Sequence, residues 1–108
     1  MAELPIEQYL GFHDIPRVVF VTYQDDLYML DCPFDEGRDD YGERFRVLRL
    51  DRETYQRFNR REVRLDDVIA AALDVGSVAV DVVRFDETRR QTVDDALFAD
   101  LDLAPDHR

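Results

Sequence analysis

The sequence predicts an α+β fold: a three-stranded antiparallel meander, a fourth strand at one edge, and helices packed on one face. Three observations predict this class. Short β-branched and aromatic runs follow one another over residues 16–50 without a helical pattern between them, and such runs pair antiparallel. An amphipathic helical pattern follows, and then another apolar run. No repeat or linker divides the 108 residues, so we expect one domain with residues 1–4 and 104–108 frayed.

The first elements are predicted from turn and strand signals. Residues 5–10 suggest a short helix, because a proline stands early and a glycine follows. Residues 16–24, "PRVVFVTYQ", predict a strand that is apolar on both alternating faces and therefore central in the sheet. A tight turn at Asp25-Asp26 then returns the chain as residues 27–32, "LYMLDC", the antiparallel partner of a hairpin.

The next elements are the third strand and two helices. Residues 43–50, "ERFRVLRL", alternate arginine with apolar residues and predict a strand with one wet face. Asp51 can cap a short helix that follows it. A clearer helix starts at residue 65 and carries one apolar stripe, with Gly76 as its αL stop. The stripe consists of Leu65, Val68, Ile69, Ala72 and Leu73.

The last elements are a strand and a helix. Residues 77–85, "SVAVDVVRF", predict the fourth strand. Residues 92–101, "TVDDALFADL", predict a final helix in which Thr92 and Asp95 are spaced like a capping pair. The predicted order is therefore α-β-β-β-α-α-β-α.

The net charge of the chain limits the classes of molecule that it is expected to bind. Twenty-five acids oppose fourteen bases, all of them arginine, for a net charge of −11. This charge disfavours nucleic acid and anionic membrane surfaces. No apolar run is long enough to span a bilayer, no signal peptide pattern is present, and one cysteine forms no intrachain disulfide, so we expect a cytoplasmic protein. A high-GC genome or a salt-adapted proteome would also produce this composition, and we expect a prokaryotic protein.

The acidic stretch 31–43 raises the question of a metal site. It fails the calcium-loop spacing, since placing Gly37 at position 6 puts Cys32 and Phe34 where ligands are required. A hydrated loop between two strands is the favoured interpretation. The alternative is a looser divalent site made by Asp31, Asp35, Asp39 and Asp40.

Candidates for catalysis are isolated residues. Ser77 is the only serine and has no G-x-S-x-G elbow around it, and acids surround Cys32, which disfavours a thiolate. His13 beside Asp14 fits a turn or cap contact, and His107 falls in the tail. No glycine pattern cradles a phosphate and no lysine can form a Schiff base. We therefore expect no enzyme activity and no cofactor.

One segment contrasts with the rest of the chain. Residues 51–64 carry five arginines against three acids, a local charge of +2, while residues 25–43 carry −7. Exposed tyrosine and arginine are favoured at protein interfaces. The predicted binding residues are Tyr55, Arg57, Arg60, Arg61 and Arg64. The alternative is that these arginines only neutralise neighbouring acids in surface ion pairs.

Three functions remain open from the sequence. The first is an interaction module that binds another protein as an accessory, regulatory or inhibitor subunit. The second is an acidic mimic of nucleic acid, or an antitoxin- or immunity-type inhibitor of a basic protein, with its carboxylates in residues 25–43 and 94–106. The third is a small divalent-metal-dependent enzyme or binder centred on the acidic loop 31–43. The partner's identity and the oligomeric state are left open.

Overall fold

The computed structural model describes residues 3–11, 16–85, 92–99 and 101. Its strands are β1 (Glu3–Leu10), β2 (Val18–Tyr23), β3 (Asp26–Asp31), β4 (Phe34–Asp35), β5 (Asp40–Tyr41), β6 (Arg44–Leu50), β7 (Leu73–Ala79) and β8 (Thr92–Asp94). Its α-helices are α1 (Arg52–Asn59) and α2 (Leu65–Ala71), and 3₁₀ turns cover Val80–Val82 and Asp95–Phe98. None of the helices in these ranges is long and apolar enough to cross a bilayer.

Six strands form one antiparallel sheet in the order β7-β6-β3-β2-β1-β8, and β4 pairs with β5 in a separate hairpin. The α+β class is confirmed. Strands β2, β3 and β6 are the predicted meander, and β7 is the predicted fourth strand at the edge beside β6. The sheet extends beyond the prediction through β1 and β8, which continue it on the other side of β2.

Strand β2 lies inside the sheet and is buried on both faces, as its apolar alternation predicted. Val19 and Val21 join the core cluster on one face, and Phe20 joins the cluster on the other. The turn to β3 is formed by Gln24 and Asp25, with φ of 51° and 70°. The predicted turn was therefore one residue late, because residue 26 already pairs in β3.

The two α-helices pack on one face of the sheet, as predicted. Asp51 caps α1, and its carboxylate accepts a hydrogen bond from the backbone N–H of Glu53 at 3.3 Å. Tyr55 of α1 and Val68 of α2 are the helix residues buried in the core on this face. The sheet residues of this core are Phe20, Leu27, Met29, Leu48 and Leu50.

Helix α2 ends earlier than its apolar stripe predicted. The helix stops at Ala71, and Leu73 begins β7 with 53% of its surface exposed. Gly76 is not a helix stop but lies within β7 at φ 130°, next to a shift in the pairing with β6. Residues 73–76 continue the predicted helical pattern, but pairing with β6 stabilises them as a strand instead.

Buried side chains from the described residues after β7 cover the opposite face of the sheet. The predicted strand 77–85 ends at Ala79, where the chain enters a 3₁₀ turn. The predicted helix 92–101 is wrong: the segment forms β8 and a 3₁₀ turn, and Asp94 rather than Thr92 caps that turn by accepting from the N–H of Ala96 at 2.9 Å. Val93, Leu97 and Phe98 are buried against this face.

The N-terminal helix prediction is also wrong. Residues Glu3–Leu10 form β1, which pairs with β2 on one side and β8 on the other. Their exposure alternates residue by residue, the period of a strand with one covered face. Glu3 and Leu4, which fall in the terminus predicted to fray, pair with Asp94 and Val93. The predictions on His13, Asp14, His107 and 104–108 lie outside the described residues.

Candidate functional site

The turn between α1 and α2 carries three of the five residues predicted to bind a partner, Arg60, Arg61 and Arg64, and Arg57 lies in the last turn of α1. Arg57 Nε lies 3.5 Å from Glu62 Oε1, and Arg60 Nε lies 2.6 Å from Glu62 Oε2. The hydrogen bond from Arg60, followed by the charges of Arg60 and Arg57, lowers the pKa of the Glu62 carboxyl. These two arginines have the surface ion pairs that the alternative interpretation described.

Tyr55 is not exposed, so that part of the prediction is wrong. Only 7% of its surface is accessible, and its ring centroid lies 4.9 Å from that of Phe20. Its hydroxyl donates to Oε1 of Gln8 at 2.9 Å, and burial raises the pKa of the phenol. The helical pattern contained the signal, since Tyr55 falls on the same side of α1 as Phe58.

Arg61 and Arg64 differ from the other arginines of the segment. Both are exposed, and neither has an ion-pair partner among residues 3–11, 16–85, 92–99 and 101. Asp67 is close to Arg64, but its carboxylate accepts from the backbone N–H of Arg64 at 2.9 Å and so caps α2. Within the described part of a chain that has 25 acids, these two guanidinium groups therefore have no carboxylate partner.

The backbone of Arg61 adopts a conformation that favours glycine. The N–H of Arg61 donates to the carbonyl of Phe58 at 3.0 Å, and the N–H of Glu62 donates to that of Arg57 at 2.9 Å. This pair of bonds is a Schellman motif, whose left-handed position is usually glycine or asparagine. Arg61 occupies that position with φ 63°. The turn therefore holds a strained residue where a glycine would be relaxed.

Arg61 and Arg64 line a cleft of about 490 Å³. The lining residues are Gln8, Phe58, Asn59, Arg61, Val63 and Arg64, and we call this the arginine cleft. Strand β1 supplies Gln8, helix α1 supplies Phe58 and Asn59, and the turn supplies the rest. Sequence reasoning missed Gln8, because its segment was predicted as a helix and nothing local brings it to α1.

The acidic stretch forms the β4–β5 hairpin on a different part of the surface. Asp35 and Asp40 are opposite each other in this hairpin, and both are exposed. Asp35 Oδ1 accepts from the N–H of Gly37 at 3.0 Å, and Asp40 Oδ1 accepts from the N–H of Tyr41 at 2.7 Å. The local role of these two carboxylates is therefore to order the turn.

The structure does not gather the four candidate metal ligands into one site. Asp31 is buried at the end of β3 and accepts from Arg46 Nη2 at 2.5 Å. Asp39 is exposed in the tip of the hairpin at φ 53°. Within the described part of the chain, no three His, Cys, Asp or Glu side chains are close enough to hold a metal ion.

A second cleft, of about 540 Å³, lies beside the hairpin, and its lining contains three acids, Asp40, Glu43 and Asp81, against two arginines. Arg38 pairs with Glu43 at 3.2 Å. The guanidinium carbon of Arg17 lies 4.6 Å from the centre of the Tyr41 ring, within the range of a cation–π contact. The arginine cleft is thus the stronger candidate for an anionic ligand.

The candidate nucleophiles are engaged in structural contacts. Ser77 Oγ accepts from Arg44 Nε at 2.8 Å across β6 and β7. Cys32 is buried, and its thiol donates to the carbonyl of Gly42 at 3.3 Å. Neither residue lines the arginine cleft.

Comparison with known protein families, with curated proteins and with solved structures found no match to this chain.

Proposed function

We propose that this protein is a non-catalytic binding module that recognises another protein through the arginine cleft, as an accessory, regulatory or inhibitor subunit. One observation carries the proposal: Arg61 and Arg64 line a cleft and have no carboxylate partner within the described residues of a strongly acidic chain. We place this function in the cytoplasm, where the free thiol of Cys32 stays reduced.

Charge segregation supports recognition of a protein rather than of a nucleic acid. The net charge of −11 repels phosphate backbones, whereas the two arginines present local positive charge to an approaching carboxylate. Opposite charges on the two partners speed their encounter and fix their relative orientation. Arginine is also among the residues that dominate binding energy at protein interfaces.

The proposal is tested by capture from a lysate of the native cell. The immobilised wild-type chain is compared with a chain carrying Arg61→Glu and Arg64→Glu, and bound proteins are identified by mass spectrometry. The matched control carries Arg38→Glu and Arg84→Glu, the same charge change at two exposed positions outside the arginine cleft. Circular dichroism and melting temperature establish that all three chains are folded.

The expected result is a protein retained by the wild-type and control chains and lost from the Arg61→Glu, Arg64→Glu chain. If every captured protein is retained equally by all three chains, the arginine cleft is not the binding surface and the proposal fails. It also fails if the purified chain turns over a substrate and Asp35→Asn or Asp40→Asn stops that turnover. Basic proteins captured through the acidic surface would instead favour the acidic mimic.

A further inference from the structure

We infer that the arginine cleft receives an acidic peptide segment of the partner, in which carboxylates flank an apolar side chain. This inference rests on the proposed function and specifies the chemistry of what the cleft binds. Three features of the cleft carry it: the two arginines without an ion pair in the described part of the chain, the strained backbone that holds one of them, and the apolar side chains that line the cleft with them.

The cations define the polar part of the ligand. Guanidinium groups present several N–H donors in a planar fork, which matches the two oxygens of a carboxylate. Gln8 adds a further donor: its Oε1 accepts from Tyr55, and its NH₂ group has no acceptor among the described residues. Donors therefore outnumber acceptors at the cleft, and a carboxylate supplies acceptors only.

The backbone of Arg61 indicates that the side chain is kept for binding. Glycine would satisfy the Schellman motif without strain, and the chain places a long cationic side chain there instead. Strain of this kind is concentrated at sites of binding and catalysis. Arg61 contributes nothing to the described core, since it is exposed.

The apolar part of the ligand is defined by Phe58 and Val63. Both are half-buried, pack against the helix-side core and also line the cleft. An apolar side chain of the ligand would cover the exposed parts of Phe58 and Val63. The cleft volume of about 490 Å³ lies in the range of sites that take a few side chains.

The exposure of the arginines favours a peptide over a small free acid. An ion pair in water contributes little on its own, because solvent and salt screen it. Useful affinity therefore requires several contacts from one ligand, which a peptide chain supplies by carrying two carboxylates and an apolar residue together. A free carboxylic acid makes only one of these contacts.

The test uses the full chain, labelled with ¹⁵N, and blocked peptides of defined sequence. The first peptide is acetyl-Gly-Glu-Leu-Glu-Gly-amide, and its matched control replaces both Glu residues by Gln. Backbone amide shifts of residues 59–64 report binding in each titration. The same titrations are done on Arg61→Gly and on Arg38→Gln, and sodium acetate is added alone as a third ligand.

We expect the Glu peptide to shift residues 59–64 and to bind at least fivefold more tightly than the Gln peptide. Arg61→Gly should lose at least fivefold in affinity while melting at or above the wild-type temperature, and Arg38→Gln should bind like wild type. Equal binding of the Glu and Gln peptides overturns the inference. Acetate that binds as tightly as the Glu peptide also overturns it, in favour of a small acid.

This test separates the failure of the inference from that of the proposed function. If neither peptide shifts residues 59–64, but a protein from the lysate is still lost by Arg61→Glu with Arg64→Glu, the inference is wrong and the proposed function stands. If the Glu peptide binds as expected but no captured protein depends on these arginines, the proposed function fails and the carboxylate chemistry of the cleft is upheld.

Discussion

The hydroxyl of Tyr55 donates a hydrogen bond to Oε1 of Gln8 at 2.9 Å, and this bond joins helix α1 to strand β1. Tyr55 belongs to the core, whereas Gln8 lines the arginine cleft. The contact therefore fixes one wall of the cleft to the packed interior. The bond also orients the Gln8 amide. Because the amide oxygen accepts from Tyr55, the NH₂ group is the part of the amide that can bind a ligand.

Tyr55→Phe removes that hydrogen bond and keeps the ring against Phe20. The expected loss in the free energy of unfolding is about 1 kcal/mol, the net contribution of one hydrogen bond, since Gln8 retains access to water. Urea denaturation followed by circular dichroism measures it. A variant as stable as wild type would show that the bond does not hold β1 against α1.

Gly76→Ala tests the close approach of Leu101 to β7. Gly76 has φ 130°, and a Cβ atom there would lie 2.9 Å from Leu101 Cδ2. Backbone strain and this clash should together cost on the order of 2 kcal/mol. Gly37→Ala is the matched control, because Gly37 has no positive φ and its Cβ would meet only the Asp35 carboxylate at 3.3 Å. Equal melting temperatures for the two variants would contradict this packing.

Asp25→Gly tests the β2–β3 turn. Both turn residues have positive φ, which is the type I′ geometry that favours Asn-Gly over Gln24-Asp25. Glycine relieves the strain at the second position but adds freedom to the unfolded chain, so the expected net gain is about 0.5 kcal/mol. A rise in melting temperature checks this, and a fall would show that the Asp25 side chain stabilises the turn.

Glu7 gives a prediction for the pH dependence of stability. Burial raises the pKa of Glu7, but hydrogen bonds from Thr22 and Arg52 outweigh burial and leave the pKa below its usual 4.5. A group with a lowered folded-state pKa stabilises the fold above its unfolded pKa, and this contribution is lost as pH falls through the folded value. The stability advantage of wild type over Glu7→Gln should therefore be full at neutral pH and shrink below pH 4.5.

Melting curves of the two proteins between about pH 3 and pH 7 measure this advantage. An advantage that grows as the pH falls would contradict the Glu7 contacts with Thr22 and Arg52. Thr22→Val provides a second variant, because it removes the hydrogen bond to Glu7 and the one that Arg52 donates to Thr22, without changing the charge.

The sequence predicted the elements whose partners are close along the chain. Strands β2, β3 and β6 follow one another, and their apolar alternation is a local signal that survives in the sheet. Asp51 was recognisable because a helix cap is also a local feature. These elements specify the meander and one helix-covered face.

The sequence did not reveal the pairings between distant segments. Leu4 pairs with Val93. This pairing places the predicted helix 5–10 in strand β1, and the start of the predicted helix 92–101 in strand β8. No pattern within either segment indicates a partner so far away, so tertiary pairing decided their structure.

The candidate site was also predicted only in part, because some of its features are local in the sequence and others depend on distant segments. Arg61 and Arg64 were named from local charge, but the buried position of Tyr55 and the contribution of Gln8 required the fold. The left-handed backbone of Arg61 gave no sequence signal, because the pattern expects glycine or asparagine at that position. The strain that distinguishes this arginine is visible only in the structure.

The central claim is that Arg61 is kept in a strained position in order to bind a partner. Its most direct test measures two quantities for Arg61→Gly against wild type: the free energy of unfolding, and the dissociation constant for the protein recovered from the lysate. We predict that stability is equal or higher while affinity falls at least about tenfold, a loss of roughly 1.4 kcal/mol of binding free energy. Unchanged affinity, or a loss of affinity that accompanies a loss of stability, would contradict the claim.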